Sequence, residues 1–543
     1  MSINRKIIIT VAVGLVFGIS SCRKFFNVNQ NPNQSATATV QTLLPAAELY
    51  VASTVGVDLQ INGSIWGEYW TQDPGASQYR SVEQYAPGQD YFSTPWLNLY
   101  KAGENFYQLG ILADTGKKKQ YKAIALIMKA YTFQLITDAW GDAPYTQALK
   151  GQPVDSNVTN PKYDSQRVIY NSILANIDSA LKLINPSDAV LPGNDDLIYG
   201  GDMVKWRKFA NTLKLRIYLR MSAIDPITAQ AGIATMYAAN PAFIGNGDDA
   251  KIAFGYTASS KSPLYAEASS TTLAGIQNLV GSKTCIDSLN ADNDYRLFIF
   301  YEATSSGSFT GIAQGNYDAV VAGGSFSLPS PYVAGDANNA KSANAPVNLL
   351  TSYESYFLQA EAFARGWATT GLDDSTLFYQ GIYANFNYYS SDYTDLNITW
   401  QDTTGLYKGR GYVLPSGDTL KLPVMLTASF AYYSYLYGDT TYLTTPAIHV
   451  PAFWSVYKRS MPLAQRIKTI ITQKWFCMCG NQGFEAWCEQ RRTGYPDFFV
   501  ISQNSLIGNN LPKRFLYPTS ESTRNANFPG VAPITAKMWW DLF

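Results

Sequence analysis

The chain has 543 residues, with 41 Lys+Arg against 41 Asp+Glu, so its formal net charge is zero. That balance gives no support for a basic nucleic-acid-binding face. Charged residues make up only 15% of the chain and aromatic residues 14%, including 38 Tyr and 12 Trp; such rings offer a flat apolar face and a polar edge, which suits core, interfaces and sugar rings alike.

The chain opens with Arg5 and Lys6, then a mostly apolar run from Ile7 to Ile19, then Ser20-Ser21-Cys22. Positive start, apolar centre and small residues in that order predict a secretory signal peptide, too short for a permanent membrane span. The cysteine directly after Ser21 makes it resemble a bacterial lipoprotein signal, with cleavage before Cys22 and lipid placed on that thiol. Residues 1–21 are then removed, and the remainder works outside the cytoplasm on a membrane tether. No later segment is apolar for the ~18 consecutive residues that a spanning helix needs. The length would allow several units at ~150 residues each. No Pro/Ser/Gly-rich linker separates them, so residues 22–543 are expected to form one domain.

Helical periodicity follows. Lys118 to Trp140 carries Ile124, Ile127, Met128, Tyr131 and Leu135 on one stripe, stopped by Gly141 and Pro144. Ser165 to Ile184 places Ile169, Ile173, Ile177 and Leu181 four apart. Val204 to Met221 and Ser352 to Arg365 read likewise, the second ending at Gly366. Ile467 to Phe476 opens another helix, broken by Gly480 and Gly483. Between them lie long polar, aromatic and Gly/Asn-rich stretches: 60–95, 185–201, 301–345 and 389–450. Loops of that length inside a compact chain usually carry function. Paired helices could stack as a tetratricopeptide-type solenoid, although no clean 34-residue period is visible.

Groups that carry chemistry are sparse. The one histidine, His449, sits between apolar residues, and no Gly-x-Ser-x-Gly elbow, phosphate loop or His-Glu-x-x-His accompanies it. Asp292-Asn293-Asp294 lacks the Gly and distal Glu of a calcium loop and reads as a turn. Cys285, Cys477, Cys479 and Cys488 match no common zinc spacing and read as buried free thiols. No metal and no cofactor are expected. Two carboxylates suffice for a glycosidase, and sequence alone leaves that open.

Several stretches, in order, resemble the SusD/RagB family of nutrient-binding outer-membrane lipoproteins. After Cys22 comes Asn27-Val28-Asn29-Gln30-Asn31-Pro32-Asn33, similar to the family's D-x-N-x-N-P-N with Asn27 in place of Asp. Asp138-Ala139-Trp140-Gly141-Asp142-Ala143-Pro144-Tyr145 is similar to D-x-W-G-D-x-P-Y. Tyr353-Glu354 with Ala360-Glu361-Ala362 resembles a further motif. The C-terminal block runs Gln473-Lys474-Trp475, Glu485-Ala486-Trp487 and Arg491-Arg492-Thr493-Gly494-Tyr495-Pro496, then Arg514, Tyr517-Pro518, Glu521 and Asn525. The resemblance implies an all-α fold of tetratricopeptide-like helix pairs with a large loop-rich ligand-binding half. It implies a partner, a SusC-type TonB-dependent outer-membrane transporter, to which the lipoprotein delivers a captured oligosaccharide or peptide without doing chemistry. Many members carry acidic residues after the lipidated cysteine; Arg23 and Lys24 stand here instead.

Among the motif residues, Arg491 and Arg492 are expected to pair with Glu485, Glu489 or Asp497, and Trp475 and Trp487 to be core. Ligand contacts are expected in the stretch from Trp66 to Trp96: Trp66, Trp70, Asp73, Tyr79, Arg80 and Trp96, with Tyr69, Gln78 and Tyr85 beside them. Aromatic rings would pack on sugar faces while Asp, Gln and Arg pair with hydroxyls. The bland alternative is that Trp66 and Trp70 pack inside. A second candidate set is Tyr388, Tyr389, Tyr393 and Trp400, and a third is the run Tyr432 to Tyr437. A surface glycoside hydrolase is the competing class; it would need a carboxylate partner for Asp73, Glu68 or Asp90.

Overall fold

A computed structural model describes residues 38–151, 157–257, 260–268, 277–291, 294, 296–316, 325–389, 392 and 457–543, with the backbone of short strands within 401–420. The fold is all-α in character, built from packed helix pairs with short two-stranded ribbons between them. The larger helices are α1 (Val40–Thr54), α2 (Gln60–Trp66), α3 (Ser93–Thr115), α4 (Lys119–Trp140), α5 (Gln166–Leu183), α6 (Met203–Arg220), α7 (Pro226–Ala238), α8 (Lys283–Ala291), α9 (Ser352–Ala364), α10 (Asp374–Tyr388), α11 (Leu463–Met478) and α12 (Gly483–Thr493). Among the described residues no helix is long and apolar enough to cross a membrane.

The periodic stretches form helices where the pattern predicts them. In α5, Ile169, Ile173 and Ile177 are buried, and Leu181 packs on the same core. In α4 the stripe from Ile124 to Leu135 is buried, and the helix stops at Gly141, whose φ of 93° suits a residue without Cβ. Two expectations need correction. Gly483 does not end a helix; it begins α12 after a turn at Gly480. The stretch 60–95 is not a long loop: a π-turn at Val55–Leu59 carries α1 on into α2, and β1 (Trp70–Gln72) follows.

α3 packs on α1 and α4, α4 on α5, and α9 on α10 and α11. Short helix connections, such as residues 116–118 between α3 and α4, place consecutive helices side by side. The ribbons are long-range. β1 pairs antiparallel with β5 (Leu279–Gly281), β2 (Ala143–Pro144) with β3 (Tyr163–Asp164), and β4 (Ala250–Ile252) with β6 (Val347–Leu350).

The motif residues hold the ends together through a buried girdle of charge. Arg216 on α6 grips Glu354 of α9 with two hydrogen bonds of 2.8 Å. Arg220 reaches Glu489 at 2.8 Å, Asp138 at 3.4 Å, and Glu485. Arg492 holds Glu361 at 2.6 Å and Glu489 at 2.7 Å, with Lys474 at 3.3 Å from the same Glu489. The expected pairing of Arg492 with Glu489 is therefore present. Arg491 differs: it donates to the Asp138 carbonyl at 3.1 Å and the Lys513 carbonyl at 2.8 Å, with its guanidinium 3.4 Å above the Trp487 ring. Asp497 pairs instead with Lys468, at 2.6 Å. The reason is geometric: carbonyls left open at the end of α4 need donors, and Arg491 points at them.

That helix end is completed from far along the chain. Phe515 N donates to the Ala139 carbonyl at 2.7 Å, Trp140 Nε1 to the Leu516 carbonyl at 3.0 Å, and Arg514 to the Trp140 carbonyl. Tyr517 Oη reaches the Asp142 carbonyl at 2.6 Å.

Candidate ligand-binding site

The stretch from Trp66 to Trp96 is mostly scaffold. Trp66, Tyr69, Trp70, Tyr79, Tyr85 and Trp96 are all buried. Trp66 donates to the Val82 carbonyl at 3.1 Å and packs 4.9 Å from Trp487 and 5.6 Å from Phe515. Trp96 stands edge-on to Trp140 at 5.2 Å. Trp70 lies in β1, not on a helix extended from Trp66. The expected aromatic platform is thus turned inward, because large rings stabilise most when packed on one another. Asp73 and Arg80 are half-buried, and Gln78 is exposed. Asp73 caps the turn by accepting from Gly75 N at 2.6 Å, and burial pushes its carboxyl above the usual range. Arg80 donates to the Ala76 carbonyl at 3.3 Å. Glu68 is buried with its carboxyl on Val500 N at 2.6 Å, while Asp90 is exposed and accepts from Thr519 N at 2.8 Å.

Of the second set, Tyr388 and Tyr389 line an open cleft, and Tyr393 and Trp400 lie outside the described residues. The run Tyr432 to Tyr437, His449 and Cys22 also lie outside them. The cleft has a volume of about 250 Å³ and is lined by Lys251, Tyr256, Tyr332, Lys341, Asn344, Asn348, Tyr388, Tyr389, Asp392 and Asn481, with Gly480 and Val333 among its apolar contacts.

Three local devices build it. β4 and β6 pair out of regular register between Ala250 and Lys251; such an irregularity re-aims a side chain, and Lys251 Nζ stands 4.5 Å above the Tyr388 ring. α10 ends at Tyr388, whose hydroxyl donates to Asn348 Oδ1 at 2.7 Å. The turn after α11 places Gly480 at φ 79°, where a Cβ would come within 2.4 Å of Val333 Cγ1. Only glycine allows both that backbone and that approach. Asn481 then donates to Tyr389 Oη and accepts from Tyr353 Oη at 2.8 Å.

The two tyrosine rings meet nearly perpendicular, 4.8 Å apart. Burial holds both phenols above their ordinary range, so they stay protonated; Tyr388 donates and Tyr389 accepts. Tyr256 is 57% exposed at the rim, and the Lys341 and Asn344 side chains are exposed beside it. The lining therefore combines aromatic faces with amide, hydroxyl and ammonium groups. The stretch 301–345, read from its length as a loop of the kind that carries function, contributes Tyr332, Lys341 and Asn344 to this lining. No sequence signal pointed to Lys251, Asn348 or Asn481, which only long-range pairing brings to the cleft.

Residues 32–411 match the SusD-like family described as "Starch-binding associating with outer membrane". Residues 444–540 match the SusD-like family described as "Susd and RagB outer membrane lipoprotein". The chain belongs to the SusD-like family. Among solved structures, a chitin-binding protein superposes with TM-score 0.69 at 22% identity, covering 93% of this chain and 100% of that one. A chitin-binding SusD homologue from Flavobacterium johnsoniae gives 0.67 at 23% identity, covering 92% and 98%. A SusD homologue from Bacteroides uniformis gives 0.68 at 22% identity, covering 92% and 99%. At these identities the likeness is one of fold. No curated protein sequence matches the chain.

Proposed function

We propose that this chain is a cell-surface lipoprotein, anchored through Cys22, that binds an oligosaccharide and delivers it to a SusC-type TonB-dependent outer-membrane transporter without chemistry. Residues 22–543 would act as one domain. The observation that carries the reading is the cleft of Tyr388: ring faces beside a few fixed polar groups, the composition of a small-ligand site. The outer-membrane lipoprotein family supports the location. Two similar structures are named as chitin-binding, so oligomers of N-acetylglucosamine are the first ligands to try.

Calorimetric titration against chitin-derived, starch-derived and other oligosaccharides, and against peptides, tests it. Saturable heat with one glycan class and an unchanged glycan on chromatography is the expected result. Response to peptides alone would move the chain to peptide uptake, and product formation would replace binding with hydrolysis.

A further inference from the structure

The four described cysteines, all buried, fall into two kinds. Cys477 Sγ accepts from Arg296 at 3.1 Å, and Cys488 Sγ accepts from Arg491 at 2.9 Å. Each of these thiols is engaged by a guanidinium. Cys285 and Cys479 face each other instead, with Sγ atoms 3.9 Å apart. Cys285 sits in the first turn of α8, and Cys479 caps the end of α11. Tyr301 Oη lies 3.4 Å from Cys479 Sγ.

We propose that Cys285 and Cys479 join as a disulfide when this chain folds in an oxidising compartment. The inference rests on the export reading above, since cytoplasmic thiols are kept reduced. The sulfurs must close from 3.9 Å to about 2.0 Å. The reaction is thiol–disulfide exchange with a small disulfide such as oxidised glutathione. One cysteine thiolate attacks it, forming a mixed disulfide and releasing one thiol. The second cysteine then displaces the other thiol. Two S–H bonds are lost and one S–S bond forms; the small disulfide takes up two electrons and both protons, leaving as two thiols.

Burial dictates when this happens. Both side chains are fully enclosed in the folded protein, and burial holds the Cys479 thiol well above its ordinary range. A protonated, enclosed thiol is a poor nucleophile. Exchange therefore belongs to folding, before the pair is covered, and the finished bond resists reductants. The residues joined are 194 apart in sequence. The bond would tie α8 to the turn carrying Gly480 and Asn481, one wall of the cleft.

The test uses the detergent-solubilised full chain, denatured, reduced and refolded in a glutathione redox buffer. Peptide mapping after alkylation in denaturant follows each cysteine, Cys22 separately. The expected map shows a Cys285–Cys479 cross-linked peptide, with Cys477 and Cys488 singly alkylated. Tm should fall by about 5 °C when the bond is reduced under denaturing conditions and the chain refolded without oxidant. Cys479→Ala should erase that difference, and Cys477→Ala should keep it. Four singly alkylated thiols after oxidative refolding, or a cross-link through Cys477 or Cys488, would overturn the proposal. If the cross-link forms on refolding but is absent from protein isolated from cell envelopes, the pairing stands and the export reading fails.

Discussion

The charge girdle and the cleft use similar residue types in opposite ways. In the girdle, Arg216, Arg220, Lys474 and Arg492 are withdrawn from water and matched by Glu354, Glu361, Glu485, Glu489 and Asp138. Burial alone would raise Glu489, yet Arg492, Lys474 and Arg220 outweigh it and hold that carboxyl well below the usual range. In the cleft, Lys251 and Lys341 remain exposed beside aromatic rings. The lesson concerns partners. Charge already satisfied inside the protein positions helices; charge left at a rim is available to a ligand. Motif residues of the first kind therefore report architecture, and the ligand is read from residues of the second kind.

The largest effect should come from breaking the girdle. Arg492→Met leaves Glu361 and Glu489 short of a cation, at a cost of about 3–5 kcal/mol. Urea unfolding checks this, and an unchanged midpoint would mean that the girdle is not a lock. Next, Trp66→Phe removes the bond to the Val82 carbonyl and some core volume, costing about 1–3 kcal/mol. Glycan affinity should stay within about twofold, a ΔΔG under 0.5 kcal/mol; a larger loss by calorimetry would restore the Trp66 region as the site. At the rim, Tyr256→Ala should weaken glycan binding about tenfold, near 1.4 kcal/mol. Its side chain is mostly exposed, so Tm should hardly move. Unaltered affinity would remove the cleft from contention.

A smaller effect concerns pH. Burial pushes the Glu83 carboxyl up to about 7 and that of Glu68 up to about 8. Both hold protons in the folded chain that the unfolded chain has released above its ordinary value of 4.5. Stability should therefore be fullest below about pH 4.5 for these groups and decline as pH rises through 7 and 8. Glu83→Gln should flatten the lower part of that decline in Tm measured against pH. An identical slope in wild type and variant would assign the loss to other groups.

How legible was this in the chain? The helices α4, α5, α6 and α9 were plain, because each carries a periodic apolar stripe, and α4 and α9 stop beside Gly141 and Gly366, although α4, α6 and α9 bury far more than that stripe. α3 was hidden, since Trp96, Leu99, Phe106 and Leu109 follow a stretch whose Gly and Pro read as loop. The aromatic stretch after α2 misled for a physical reason. Composition shows that rings are present, not which way they face, and β1 turns Trp70 inward. Tyr388 and Tyr389 stood in the second candidate set as an aromatic cluster, while the helix α10 that ends on Tyr388 was not read. Lys251 stood in no set, because its place over Tyr388 depends on a ribbon between residues about a hundred positions apart.

The end of α4 carries a consequence for the order of assembly. Its last carbonyls wait for donors from Arg514, Phe515 and Arg491, more than 350 residues further on. A nascent N-terminal half therefore reaches no finished resting state while the remainder is still being made. Contacts this distant in sequence form late and leave sticky surface exposed meanwhile. Loss of the final thirty residues would take two of these donors, Arg514 and Phe515, from the Trp140 end of the helix, in the opposite half of the sequence. For this chain that dependence works as a delay, holding back completion until the whole length has been made.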